Sequence, residues 1–511
     1  MSVRTRSIWT WHTVFYGVII LILSYFTYVY NYTYPPALFW DENYFLSSAQ
    51  KYLTGTFFME PHPPLAKLFI ALGEHIVNAN PDDWAFIGTD YAQTLSPGFS
   101  FAGYRLFPVL FAWGGALVFF GILLLLTRKA LLAALFSFLY VFDNALIVHF
   151  RGAMLDSTMV FFVLLTILAF LLLLEYSPLP SPSPKGVVPH RGEGKRFKWA
   201  AIFFGLALAA TAATKVLGLI VLLLVPVLLW SLRANRPHLW TFLRYGGISS
   251  LLLYCAIWQI HFSLATKINP ELPDAGYYQA SESYKRILTE GGQNSILSFP
   301  VMLRDSWNFL SHYEAGVPVL DLCKPDENGS PWFMWPVGAR SINYRWETPD
   351  GDAYQYLYLQ ANPVVWGLGF LGVLASIGFL LSTFLLNVRL KYRFELTVFL
   401  GMYLAYMFVM SQVSRVMYLY HYFIPLILSF ILLAIVLMQI KHIGILSLTD
   451  HRKKGVAMVM GILIFLAFQA YRPFTYYEPI GDRAVSNRSL LQLWDLRCIN
   501  CSRDNPLVRP R

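Results

Sequence analysis

The chain has 511 residues, of which 56% are hydrophobic and 13% charged, and its formal net charge is +10. Apolar runs that reach the roughly 20 residues needed to cross a bilayer recur along it, which excludes a single water-soluble core. The basic excess calls for no nucleic acid: 19 of the 39 Lys and Arg residues sit in short segments between apolar runs, and no basic module with interleaved aromatics accompanies them.

Taken from the N-terminus, hydropathy and charge predict an all-α polytopic membrane protein with about eleven transmembrane helices. They fall at 11–31, 103–126, 130–145, 156–175, 199–213, 216–232, 245–265, 364–387, 396–411, 421–440 and 455–471. The first run follows Arg4 and Arg6 and lacks a small-residue cleavage site, so it reads as a retained anchor. With the N-terminus inside, the basic clusters Arg128-Lys129, Arg389 to Arg393 and Arg452 to Lys454 all lie on the cytoplasmic side. Residues 1–176 then form an N-terminal half with a first external loop at 32–102. A Pro-rich and basic cytoplasmic linker occupies 177–198. Three further spans at 199–265, a large external loop at 266–363, four spans at 364–471 and an external tail at 472–511 complete the organisation. Within the first loop, 64–78 carries Leu65, Leu68, Phe69, Leu72 and Ile76 at helical spacing and is expected to lie in the membrane interface. Cys255 falls in a span, whereas Cys323, Cys498 and Cys501 lie on the side where disulfides form.

Chemistry is expected at the external mouth. Asp41-Glu42 stands about ten residues beyond the first span, and carboxylates held near hydrocarbon mark function by default. Pro61-His62-Pro63-Pro64-Leu65-Ala66-Lys67 follows. Arg105, Arg151, Lys215 and Arg415 sit at external span ends, near Asp143-Asn144, Asp156 and Tyr420-His421-Tyr422. Such cations suit a lipid phosphate, because guanidinium forks pair with phosphate oxygens and favour the charge that develops as a phosphate leaves. Asp41 is then a general base that takes a hydroxyl proton as a glycosidic bond forms. Glu42 is read as a positioning residue, and His62 as an orienting residue in preference to a metal ligand.

These residues together resemble the protein O-mannosyltransferase family, within the GT-C class of polytopic glycosyltransferases. The resemblance runs through Trp40-Asp41-Glu42, Phe57-Phe58, His62 to Lys67, Tyr104-Arg105, Asp143-Asn144, Arg151, Leu155-Asp156-Ser157 and Thr214 to Gly218. It continues in Ser330-Pro331-Trp332-Phe333-Met334-Trp335-Pro336, Asn362-Pro363 and Tyr420-His421-Tyr422. The resemblance implies a GT-C fold, a mannose donor on a polyprenyl or dolichyl phosphate, and inverting transfer to Ser or Thr hydroxyls of translocated polypeptides. It matches Asp41 to the family's catalytic aspartate and Arg105 to its essential arginine near the donor, while the reading of the residues themselves adds Glu42 to catalysis and His62, Lys67, Arg151, Asp156, Lys215, Arg415 and His421 toward substrate. It further implies no bound metal or cofactor; membrane lipids and the protein translocation machinery are the partners expected, and the distribution of basic residues places the active site on the non-cytoplasmic face. That face belongs to the plasma membrane in a prokaryote and to the endoplasmic reticulum in a eukaryote. Because 266–363 is too short for the β-trefoil MIR domain of eukaryotic members, a prokaryotic-type member is expected. Competing readings are transfer of another lipid-linked sugar to a glycolipid or glycan, a lipid or sugar transporter, and a lipid-binding scaffold; the transporter reading lacks inverted repeats in its favour.

Overall fold

The computed structural model describes residues 10–177, 193–269, 274–324, 327–348, 353–498 and 509–510. Eight described helices are long and apolar enough to cross a membrane, among them Trp11–Val29, Leu106–Thr127, Asp156–Tyr176 and Leu419–Gln439. The expected span at 130–145 is a bent pair, Ala130–Val141 and Asn144–Phe150, with 63° between its halves. Glu193–Ala212 carries Lys195, Arg196 and Lys198 in its first turns and falls outside the eight. Val216–Leu232 is apolar but short, and opens as a 3-10 helix. The count of eleven is therefore reached only by adding these three to the eight.

Two compact units share the chain, the first comprising Met1–Tyr30, Trp113–His149 and Pro318–Arg511, the second Asn31–Ala112 and Phe150–Val317. In the first unit, helix Phe423–Gln439 is buried along almost its whole length, as a helix apolar all round must be. Helix Pro363–Leu385 reaches it through Gly369 and Gly372, where a Cβ would meet Ser429 and the Leu433 backbone; small residues of this kind let membrane helices approach closely. The bend after Val141 is held by polar groups: Asp143 accepts from Leu146 N at 2.9 Å and from Trp366 Nε1 at 2.9 Å. Asn362 caps helix Pro363–Leu385 and donates to Phe142 O at 3.0 Å. The motifs Asp143-Asn144 and Asn362-Pro363 thus carry architecture.

The same unit adds strands that an all-helical reading omitted. Ile342–Glu347 pairs antiparallel with Tyr354–Leu359, which pairs with Pro479–Ile480. Tyr354, Tyr356 and Tyr358 alternate onto one face of the hairpin and pack with Tyr471, Phe474 and Trp494. Cys498 is buried and disulfide-bonded, Cys255 and Cys323 are free thiols, and Cys501 lies outside the described residues.

In the second unit, helices Asp156–Tyr176 and Glu193–Ala212 pack against each other, and Gly205 meets the backbone of Gly246 so closely that a Cβ has no room. Glu42–Thr54 and Leu65–Val77 bond to the chain beside that helix pair, Glu42 accepting from Ala153 N at 2.7 Å and Leu65 N donating to Ala213 O at 2.8 Å. Gly55 at φ +75° and Asn78 at φ +52° stop these two helices in the left-handed region that glycine and asparagine tolerate. Leu65–Val77 buries Ala66, Lys67, Ile70 and Glu74 and exposes Leu72 and Ile76, so its apolar stripe faces outward. Phe57 N donates to Lys267 O at 2.7 Å, and Trp258, Phe262, Tyr284, Met302 and Phe309 close an aromatic core around Phe57 and Met59.

Candidate active site

Eight of the ten expected site residues belong to the second unit: Asp41, Glu42, His62, Lys67, Arg105, Arg151, Asp156 and Lys215. Arg415 and His421 belong to the first. Trp40 takes φ +52°, a conformation that costs a bulky residue of the order of 1 kcal/mol and persists only where its surroundings impose it. Asp41 follows at the head of helix Glu42–Thr54, partly exposed.

What imposes that conformation is the pair behind it. Glu42 and Arg105 are both fully buried. Arg105 Nε donates to Glu42 Oε1 at 2.7 Å and Nη2 to Oε2 at 2.8 Å, a two-pronged fork. Its remaining N–H groups donate to the carbonyls of Thr33 at 2.9 Å, Pro35 at 2.8 Å and Ala37 at 2.9 Å. All five donors of the guanidinium are therefore spent on the protein, and the rings of Phe101 and Phe39 lie 3.9 and 4.8 Å from it. Glu42 also accepts from Phe39 N at 3.3 Å and from Ala153 N at 2.7 Å. One ion pair thus fixes the segment from Thr33 to Asp41 and ties it to the loop that follows Arg151.

That loop is tight. Met154 N donates to Gly152 O at 2.7 Å, and a Cβ on Gly152 would lie 2.9 Å from the Phe39 ring and 3.3 Å from Glu42 Oε1. Arg151, buried, donates through Nη2 to Asn31 O at 2.5 Å. Asp156 opens the next helix and receives Lys215 Nζ on both carboxylate oxygens at 3.0 Å, with both side chains almost wholly buried. Arg105 itself is placed by a close backbone approach, since Gly73 and the Gly103 carbonyl leave no space for a side chain at either glycine.

The His62 segment joins the same network. Lys67, fully buried, pairs with Glu60 Oε2 at 2.8 Å and donates to His62 O at 3.1 Å. Burial pushes the Lys67 pKa down, and the Glu60 carboxylate opposes that shift. Glu60 in turn accepts from Ser48 on the Asp41 helix, and Leu65 N donates to Ala213 O at 2.8 Å, two residues before Lys215. Glu60 was not among the expected residues; the signal for it was Lys67, since a lysine on the buried face of an apolar helix requires a counter-ion. Also missed was Lys51, which pairs with Asp274 Oδ2 at 3.0 Å and with Asp90. Burial opposes the Lys51 charge, but the two carboxylates outweigh it and hold its pKa above the usual value; burial raises the pKa of Asp274, against the pull of Lys51. Asp274 Oδ1 accepts from Met59 N at 3.2 Å, so this cluster anchors the strand of chain that leads into Glu60.

In the first unit, Arg415 bridges antiparallel to Val319. His421 is buried, its Nδ1 accepts from Tyr418 N at 3.1 Å, and its ring stacks on Tyr420 at 4.6 Å. Among the described residues, no group of three or more His, Cys, Asp or Glu is placed to hold a metal ion.

A family model described as dolichyl-phosphate-mannose-protein mannosyltransferase matches residues 18–266, and one for the C-terminal four-helix membrane region of protein O-mannosyltransferase matches 310–494. The chain belongs to the protein O-mannosyltransferase family. Within the family, it is 27% identical over 283 residues to dolichyl-phosphate-mannose--protein mannosyltransferase 1 of Candida albicans, covering 52% of this chain and 29% of that protein. It thus spans under a third of that relative's length. With the polyprenol-phosphate-mannose--protein mannosyltransferase of Corynebacterium glutamicum it shares 23% identity over 477 residues, covering 85% of this chain and 81% of that one. The S. cerevisiae protein O-mannosyltransferase Pmt1-Pmt2 complex bound to the sugar donor has the same fold, with a TM-score of 0.78 at 13% identity over 100% of this chain and 95% of that chain. The GT-C architecture expected of the family is therefore that of this chain.

Proposed function

We propose that the chain transfers mannose from a polyprenyl or dolichyl phosphate to Ser or Thr hydroxyls of polypeptides on the non-cytoplasmic face of a membrane. The observation that carries this reading is the buried Glu42–Arg105 fork, which fixes the segment ending in Asp41 while the Asp41 side chain stays partly exposed. In the transfer, the Ser or Thr oxygen forms a bond to the anomeric carbon as the bond from that carbon to the phosphate oxygen breaks. The hydroxyl proton passes to the Asp41 carboxylate. The bonding pair leaves with the lipid phosphate, a group that departs without a proton donor. A single displacement of this kind inverts the anomeric centre.

Arg105, with its donors committed to protein acceptors, acts through Glu42 and the 33–41 segment and holds the base in place. Contact with the donor phosphate then falls to Arg151 and Lys215, beside Asp156. Lys67 with Glu60 sets His62 within the second unit. The names of the relatives support the lipid-phosphate donor and the protein acceptor. The membrane is the plasma membrane in a prokaryotic host and the endoplasmic reticulum in a eukaryotic one, and the acceptor arrives from the translocation machinery.

The test uses the full chain purified in detergent, labelled polyprenyl-phosphate mannose, and separate peptide and glycolipid acceptors. The expected product is an acid-stable mannosyl peptide on Ser or Thr. Label recovered only in glycolipid would overturn the acceptor assignment, and no covalent product with either would overturn the reaction.

A further inference from the structure

The helix face that bears Asp41 continues into an exposed aromatic pair that the transfer step above does not use. Asp41 already has helical dihedrals, φ −73° and ψ −3°, and Tyr44 N donates to Asp41 O at 3.1 Å. Residues three apart on a helix share a face, with Cβ atoms about 5–6 Å apart. Tyr44 therefore stands beside Asp41, and it is 42% exposed. Its ring meets that of Tyr91, 40% exposed, at 4.9 Å between centroids and 71° between planes. Tyr91 comes from a loop half a hundred residues away and is pinned in place. Ala92 N donates to Asn43 O at 2.9 Å, and Asn43 Nδ2 to Ala92 O at 2.6 Å. Thr89 Oγ1 accepts from Tyr91 N at 3.1 Å and donates to Tyr91 O at 3.2 Å.

Two large rings held together by a bonded loop and left so exposed contribute little to a core. Their neighbours show what they face: Asp90 carries a side chain 64% exposed, and Thr89 makes its bonds in solvent, so the surface meets water and not hydrocarbon.

We propose that Tyr44 and Tyr91 form the platform on which the acceptor polypeptide lies, and that it selects a proline or aliphatic side chain two positions from the accepting Ser or Thr. This inference rests on Asp41 as the base. An extended chain advances about 3.3 Å per residue and turns alternate side chains to one face, so residues i and i+2 stand about 6.6 Å apart. That interval matches the spacing of Asp41 and Tyr44. With the hydroxyl at Asp41, the side chain two positions away rests on the Tyr44 ring, where Tyr91 walls it on one side. Aromatic-lined surfaces take pyrrolidine and aliphatic CH groups well. A carboxylate at that position meets the negative ring face and the like charge of Asp41.

The experiment measures peptide and donor KM with alanine-based peptides that carry one Thr and either Pro or Asp two positions away. Wild type is expected to prefer the Pro peptides about tenfold in kcat/KM. Tyr44→Ala and Tyr91→Ala are each expected to raise peptide KM about tenfold, leave donor KM unmoved and flatten the Pro-over-Asp preference, while Tyr91→Phe restores both. If Tyr44→Ala lowers Tm, Tyr91→Ala carries the test, because it removes the wall while the loop keeps its Asn43–Ala92 bonds to the Asp41 helix. Unchanged peptide KM and preference in Tyr91→Ala, or a rise in donor KM in place of peptide KM, overturns the platform and leaves the Asp41 assignment standing. Wild-type turnover in Asp41→Asn overturns the base assignment whatever the tyrosine variants do.

Discussion

Glu42 and Arg105 form a charge pair out of water with every polar atom of the guanidinium satisfied. Breaking such a pair from one side leaves the partner charge buried and alone, a loss of about 3–5 kcal/mol. Arg105→Ala is therefore expected to lower Tm and abolish transfer together, and Arg105→Lys to recover little, because one ammonium cannot reproduce five donors in a fork. A thermal melt that matches wild type in Arg105→Ala would contradict the structural role. Glu74 offers a test by pH. Its side chain is buried, Oε1 accepts from Asn80 N at 2.7 Å, and Oε2 has no hydrogen-bond partner; burial raises its pKa, against the pull of Asn80. The folded state thus holds its proton to higher pH than the unfolded state, and stability falls as pH rises from about 4.5 through the raised value. Glu74→Gln does not pay that penalty, so Tm measured against pH should favour the variant increasingly from acid to neutral pH. An advantage independent of pH would contradict the assignment.

The elements explain which parts of the site were legible in the sequence. Asp41-Glu42 was legible because carboxylates beside a membrane run are costly and stand out. Arg105, Arg151 and Lys215 stood out for the same reason, but their partners did not. Lys215 meets Asp156 across 59 residues and Leu65 N meets Ala213 O, long-range contacts that periodicity does not encode. The same limit hid the saturation of Arg105, whose acceptors are the Glu42 carboxylate and three backbone carbonyls from a loop. The strands at 342–359 escaped because they lie in an aromatic-rich segment with an interrupted alternation and a bulge between Asn343 and Arg345. Gly152 is the element-level prediction. A methyl group there presses on Phe39 and Glu42, and small displacements of a reacting group cost about a hundredfold in rate. Gly152→Ala should lower kcat by roughly that factor while Tm falls modestly, as overpacking costs about 1–3 kcal/mol. Unchanged kcat would mean that the 151–155 loop does not position Asp41.

For the molecule as a whole, the orientation inferred from basic residues predicts where reagents reach it. Cys323 is an exposed free thiol in the long segment between Gly247–Leu264 and Pro363–Leu385, and Cys255 sits within a membrane-length helix. A membrane-impermeant maleimide added to the non-cytoplasmic face is expected to label Cys323 and spare Cys255; labelling of Cys323 only from the cytoplasmic face would invert the topology and remove Asp41 from the proposed side. In the proposed reaction, a carboxylate at the membrane surface removes the acceptor proton as a lipid phosphate leaves. The most direct measurement is turnover and donor affinity of Asp41→Asn in the purified full chain, with labelled polyprenyl-phosphate mannose and a Thr peptide. The account predicts transfer reduced by about three orders of magnitude or more, in the upper range for loss of a general base, with donor Kd within a few fold of wild type. Transfer at the wild-type rate with the donor bound would contradict it.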